Sequence, residues 1–348
     1  MTFAEIIRDN VDHHCPVKWW AKCAFHFTDI LNAQSILESG YLYSRVNAEK
    51  QHVMANDNAG RQVIDLTAAA AKSKVRFYFR PLTPTQYYNE GFKHQKLQFD
   101  EANVPVPVFF LFDLQKLLEM KETAFSAISQ ARKESAVFCG ADAFAKMPFD
   151  AMYQVGSMDD PAYETGIRQA ELLYPDRFPI DSCLMRIICR NSLERDTLRN
   201  VILSDTESGA KIWAKYSMKI GVGTKDLYYQ NGFFVADMQY ANQRLSLIFN
   251  QSAAKDAYMS RMVSKNKITD MGHGRLQLCM EVIFLWKDQE GRLLHRRIVS
   301  TGISYMEQGL YIAKIPKVAD ATVLQVQVRI EHHLMALRSF SLVQMELL

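Results

Sequence analysis

The chain has 348 residues, 48% of them hydrophobic and 23% charged, with a formal net charge of +3. That length exceeds one comfortable core and suits two domains, and the apolar content excludes wholesale disorder. The charge is too small to demand a polyanionic partner, and no run reaches the roughly 18 consecutive apolar residues that span a bilayer.

The opening MTFAEIIRDN has no basic stretch followed by an apolar core, so no export signal is read and a cytoplasmic location is expected. The six cysteines, Cys15, Cys23, Cys139, Cys183, Cys189 and Cys279, form no C-x-x-C pair. They are expected to be free thiols in a reducing compartment, and no metal site is expected. Charge is divided unevenly: residues 1–205 carry 23 Lys/Arg against 26 Asp/Glu, and residues 206–348 carry 18 against 12. The second part is therefore basic by six, enough to attract a polyanion but also common on ordinary surfaces.

In chain order, Asn32 to Ser39 predicts a helix stopped by Gly40. Arg76 to Phe79 predicts a short aromatic strand closed by Pro81 and Pro84. Val106 to Phe112 is apolar almost throughout, the pattern of a strand covered on both faces, and Leu114 to Lys121 follows as a helix. Glu122 to Asp160 is irregular, and Tyr163 to Leu173 fits either a helix or an extended element. Cys183 to Cys189 is another apolar strand, and Gly221-Val222-Gly223 is read as a turn.

Beyond about Arg199 the composition becomes strand-rich: Gly232 to Asn250, Arg275 to Lys287, Leu293 to Ser300 and Val323 to Leu334, with a hairpin turn at Gln289-Glu290-Gly291. His332 and His333 fall within the last of these runs and would point to opposite faces, which argues against a shared metal. The expected class is α+β: a first domain over residues 1–205 and a β-rich, sandwich-like domain over residues 206–348.

Glycine-rich phosphate loops, H-E-x-x-H and G-x-S-x-G are all absent from the sequence. Four segments stand out instead. Phe25-His26-Phe27-Thr28-Asp29 leads into Ser35-Ile36-Leu37-Glu38-Ser39-Gly40. Arg76-Phe77-Tyr78-Phe79-Arg80-Pro81-Leu82-Thr83-Pro84 continues to Tyr87. Gly140 to Asp150 is the third, and Arg168-Gln169-Ala170-Glu171-Leu172-Leu173-Tyr174-Pro175 the fourth. Alone, His26 between two phenylalanines reads as a core histidine, Tyr78 as part of a core stripe, and Glu171 as an edge or helix-face glutamate.

Together and in this order, the segments resemble the catalytic domain of DarT-type DNA ADP-ribosyltransferases over about residues 20–200. The resemblance implies an ADP-ribosyltransferase-like fold for the first domain and NAD as the ADP-ribose donor. It implies Glu171 as the catalytic carboxylate, and His26, Thr28, Tyr78 and Tyr87 as NAD contacts. It also implies an arginine upstream of the aromatic strand that positions NAD and assists catalysis. Arg61 fits that spacing, with Arg45 as the alternative.

Arg80 and Thr83 belong to the same aromatic segment, which matches only approximately. Arg76 stands where the family tends to have proline, Pro81-Leu82-Thr83-Pro84 replaces P-R-S-P, and the tryptophan common before the acidic motif is missing. The implied function is transfer of ADP-ribose to a base of DNA, expected to be single-stranded, in a toxin or antiphage role with an antitoxin or ADP-ribosyl hydrolase as partner. The alternatives are transfer to RNA or protein, and a degenerate module that binds NAD or nucleic acid without turnover.

Overall fold

The computed structural model describes residues 1–55, 69–100, 102–156, 165–204, 206–223, 225–266, 268 and 276–343. The first part contains β1 (Cys23–Asp29), β2 (Tyr41–Tyr43), β3 (Lys74–Tyr78), β4 (Pro107–Asp113), β5 (Ala124–Ser126), β6 (Glu171–Pro175), β7 (Arg177–Pro179), β8 (Leu184–Cys189) and β9 (Ile220–Val222). Seven of these form one sheet in the order β5-β6-β3-β1-β4-β8-β9, and β2 pairs with β7. The sheet is antiparallel except for β8 and β9.

The continuous apolar run becomes β4, buried at every position before Asp113 and paired with β1 from Cys23↔Asp113 to Asp29↔Pro107. Asp29 then caps the helix Ile30–Ser39 by accepting from the Leu31 amide, and Gly40 ends it at φ 74°, where a side chain would be strained. The ambiguous stretch before the acidic motif resolves into a helical turn at 165–167 and an extended strand from Glu171. Gly221-Val222-Gly223 is not a simple turn. Ile220–Val222 adds to the open edge of β8, with Ile187↔Ile220 and Cys189↔Val222, a partner that the tripeptide's composition cannot reveal.

The second part contains β10 (Val235–Ala241), β11 (Arg244–Phe249), β12 (Gln277–Lys287), β13 (Leu293–Ser304), β14 (Gly309–Ile312), β15 (Val323–Ile330) and β16 (His333–Ser341). They make a three-stranded sheet, β10-β11-β14, and a four-stranded sheet, β13-β12-β15-β16, all antiparallel. Both sheets feed one core, through Met238 and Leu247 from the first and Val282, Phe284, Trp286, Val326 and Val328 from the second.

Alternate residues of β15 are buried, as its sequence predicts. The run Val323 to Leu334 is nevertheless two strands. Glu331 and His332, at φ 46° and 71°, form the turn between them, and His333 opens β16. Sequence alternation continues through this turn without a glycine to mark it.

The expected division at residue 205 lies between two helices, Ser192–Ile202 and Thr206–Tyr216, and the sheets change over between Val222 and Val235. The cores interlock around this region. Tyr216, Ile220 and Tyr228 pack with the first sheet, while Phe92, Leu97 and Leu193 pack with the second. A buried charge network lies at the same junction. Glu90 accepts hydrogen bonds from the Tyr229 and Gln230 amides at 2.8 and 2.7 Å, and Arg190 stands 3.8 Å from Glu90 while bonding Glu194. Among the described residues, no helix is long and apolar enough to cross a membrane.

Candidate active site

The strands β1 and β3 share a single register pair, Phe25↔Tyr78. Next to it, the His26 imidazole takes over from the ladder: its Nδ1 donates to the Arg76 carbonyl at 3.2 Å. A carbonyl can only accept, so this bond fixes the Nδ1–H tautomer and leaves Nε2 as an acceptor. Burial pulls the imidazole down to a pKa of about 4, so it is neutral at physiological pH.

A cleft of about 210 Å³ opens beside this junction. Its lining includes His26, Thr28 and Tyr78, and also Arg45, Lys72, Lys74 and Arg76. Among the described lining residues, four are therefore cationic and none is acidic. That charge suits an anionic ligand, and the guanidinium groups present planar donors of the kind that grip phosphate oxygens. The cations reach the cleft for a simple reason. In Lys74-Val75-Arg76-Phe77-Tyr78, Val75 and Phe77 are buried on one face, and Lys74, Arg76 and Tyr78 alternate onto the other.

Glu171 is the first residue of β6 and pairs with Tyr78. It is 1% exposed. The Ser129 hydroxyl donates to Oε1 at 3.3 Å, and the Gln130 amide adds a second donor to the carboxylate. Oε2 has no hydrogen-bond partner among the described residues; its nearest cation is Arg76, with Nη1 at 3.5 Å. Arg76↔Leu173 is the neighbouring register pair on the same sheet face, so Arg76 reaches Glu171 diagonally. Burial pushes the Glu171 carboxyl above the usual carboxylate range, and Arg76 opposes that rise. Tyr78 is also held above its ordinary value, first by burial and then by the negative charge of Glu171.

The fold thus brings His26, Thr28 and Tyr78 to one cleft, with Glu171 beneath its wall. Arg61 lies outside the described residues. Arg45 lines the cleft from the start of the helix Arg45–Lys50 and contacts Glu49 at 3.3 Å. Tyr87 does not line it. Its ring packs instead against Tyr88, Tyr229 and Tyr258, on the side of the second core, because the helix Pro84–Asn89 turns it away from Thr85 and Gln86.

Arg80 is also absent from the lining. It is buried under Trp20 and donates to the carbonyls of Pro81, Met152 and Gln154. Thr83 caps the helix Pro84–Asn89 through the Gln86 amide. Sequence reasoning treated Arg76 only as a departure and passed over Lys72, Lys74 and Ser129. The alternation around Val75 could have flagged Lys74 and Arg76. Nothing local marks Ser129, which lies 42 residues from the carboxylate it holds.

The family model described as ssDNA thymidine ADP-ribosyltransferase, DarT, matches residues 25–220. No curated protein matches the chain. Among solved structures, Thermus sp. 2.9 DarT in complex with ADP-ribosylated ssDNA is 16% identical, covers 60% of this chain and 96% of its own, and gives a TM-score of 0.46. The same protein in complex with NAD+ is 16% identical over 60% of this chain and 98% of its own, with a TM-score of 0.44. Thermosipho africanus DarTG in complex with ADP-ribose is 12% identical over 77% of this chain and 71% of its own, with a TM-score of 0.42.

Proposed function

Because this chain belongs to the DarT family of ADP-ribosyltransferases, we propose that it transfers ADP-ribose from NAD to a base of single-stranded DNA, with Glu171 as the catalytic carboxylate. The observation that carries this reading is the buried Glu171 carboxylate, tethered on one oxygen and without a hydrogen bond on the other, directly behind a cleft lined with cations. Burying a carboxylate is costly even with Arg76 at 3.5 Å, and a site that retains one has a use for its charge.

In the proposed reaction the bond between nicotinamide and ribose C1′ breaks, and its electron pair leaves with neutral nicotinamide. Positive charge develops on the sugar, and the Glu171 carboxylate stabilises it. A nucleophilic atom of the base attacks C1′, and the proton it loses passes to Glu171. Neutral His26 offers Nε2 as an acceptor to a ribose hydroxyl or the carboxamide N–H. Tyr78 forms a wall of the cleft, and Arg45, Lys72 and Lys74 suit the pyrophosphate.

A single strand is the favoured acceptor because an unpaired base reaches the cleft without the few kcal/mol (~) needed to leave a duplex stack. Modification of DNA bases suits a cytoplasmic toxin or antiphage effector, and a hydrolase that removes ADP-ribose is the fitting antitoxin. Incubation with radiolabelled NAD and, separately, single-stranded DNA, duplex DNA, RNA and protein tests the reading. Label should pass to single-stranded DNA and be lost in Glu171→Gln with folding intact. Label on RNA or protein alone would reassign the acceptor, and no transfer to any of the four would reject catalysis.

A further inference from the structure

Among the described residues, Arg76 makes the closest charged contact to the Glu171 carboxylate. Three observations converge on it. Its guanidinium lies 3.5 Å from Glu171 Oε2, the oxygen that has no hydrogen-bond partner among the described residues. Its side chain is 26% exposed and lines the cleft, whereas Glu171 is closed off behind it. Its own carbonyl receives the His26 Nδ1–H bond, so one residue ties together the carboxylate and the neutral histidine.

We propose that Arg76 is a positioning residue that holds Glu171 in its ionised form for ADP-ribose transfer. The inference rests on the transferase reading, because a carboxylate is needed only if Glu171 faces developing positive charge. The groups that act on Glu171 come from two directions. From β3 come Arg76, a permanent cation, and Tyr78, a neutral phenol whose negative form would oppose the carboxylate. From the loop after β5 come Ser129 and Gln130, which donate hydrogen bonds but carry no charge.

Among the described residues, Arg76 is thus the one cation acting on a carboxyl that burial drives toward protonation. Arg45 acts on Arg76 rather than on Glu171. A neutral side chain at position 76 would leave the hydrogen bonds from Ser129 and Gln130 in place and remove the charge.

The test uses the full chain as wild type, Arg76→Gln and Arg76→Lys. Glutamate side-chain carboxyls are labelled with 13C, the Glu171 signal is assigned by its loss in Glu171→Gln, and its titration is followed by NMR. The pH profile of NAD turnover is measured on the same samples. In Arg76→Gln the Glu171 midpoint should rise by about one unit or more. The acid limb of kcat should move up by the same amount, so that activity lost on the acid side of the new midpoint is regained as pH rises past it. Arg76→Lys should bring the midpoint and the limb back toward wild type.

A Glu171 midpoint unmoved in Arg76→Gln, or a turnover at neutral pH above wild type, would overturn the proposal. A merely structural role for Arg76 would alter rate or stability without moving either midpoint or limb. Failure of the underlying reading looks different: the wild-type chain would then transfer no ADP-ribose, while the midpoint would still respond to Arg76.

Discussion

Tyr78 stands directly opposite Glu171 across the β3–β6 ladder, so the cleft wall and the buried carboxylate are neighbours in register. A slip of one residue would turn Lys74, Arg76 and Tyr78 to the other face and separate them from Glu171. The pairing therefore carries the site as much as any single side chain. Its consequence is electrostatic: a buried acid beside Tyr78 and Arg76, with its charge opposed by burial and favoured by that arginine.

Glu171→Gln should lower transfer by about 10²–10³-fold, the scale of losing one charge-stabilising group. Its effect on stability has the opposite sense. The folded-state pKa of Glu171 is raised, so the contribution is present at low pH and is lost as pH rises through the folded value. At neutral pH the neutral amide escapes that cost. Thermal unfolding should therefore give Glu171→Gln a Tm equal to or above wild type; a large drop would show that the carboxylate is structural.

His26 titrates with the reverse sign. Its folded pKa is depressed to about 4 from the ordinary 6.5, so stability is full above the upper value and falls as pH descends between the two. Urea unfolding across that window should be steeper in wild type than in His26→Gln, by up to about 3 kcal/mol at the acid end. Parallel pH curves for the two proteins would show that His26 is not buried in its neutral form.

Arg80→Ala should destabilise the chain by about 2–4 kcal/mol, because three carbonyls, those of Pro81, Met152 and the half-buried Gln154, lose this donor. KM for NAD in the folded fraction should stay near wild type, since Arg80 does not line the cleft. Chemical denaturation paired with kinetics at low temperature measures both. A selective rise in KM would return Arg80 to the binding site.

Lys74→Ala should raise KM for NAD about three- to tenfold and leave kcat nearly unchanged, as expected for a charge that binds the donor equally before and during reaction. The difference from wild type should shrink with added salt, because the cleft is open to solvent. An effect confined to kcat would place Lys74 at the reacting centre instead.

Glu90→Ala should cost about 3–5 kcal/mol by leaving buried Arg190 without one of its counterions and the Tyr229 and Gln230 amides without their acceptor. The network joins residues on both sides of the expected domain boundary, so the two parts should unfold in one transition in wild type. Calorimetry of the variant should show that transition lowered or divided. An unchanged single transition would show that the charges contribute nothing to the junction.

The sequence by itself determined the elements whose pattern is local. Continuous apolar character made β4 a covered strand, alternation set the buried face of β15, and Gly40 stopped its helix. The setting of Glu171 among Ala170, Leu172 and Leu173 marked it, with the family resemblance, as the carboxylate to follow. These features were legible because side-chain periodicity and turn preferences act within a few residues.

Tertiary structure decided what depends on pairing between distant strands. It set Arg76 beside Glu171 and placed the Ser129 hydroxyl on Oε1. It turned the His26 Nδ1–H to a strand carbonyl and moved Tyr87 to the other core. It also joined the two parts through Glu90 and Arg190. Register, burial and diagonal contact belong to two segments at once. No local pattern in either segment contains them, and in this chain they are what place a glutamate of an apolar strand, with Arg76 beside it, behind a cationic cleft.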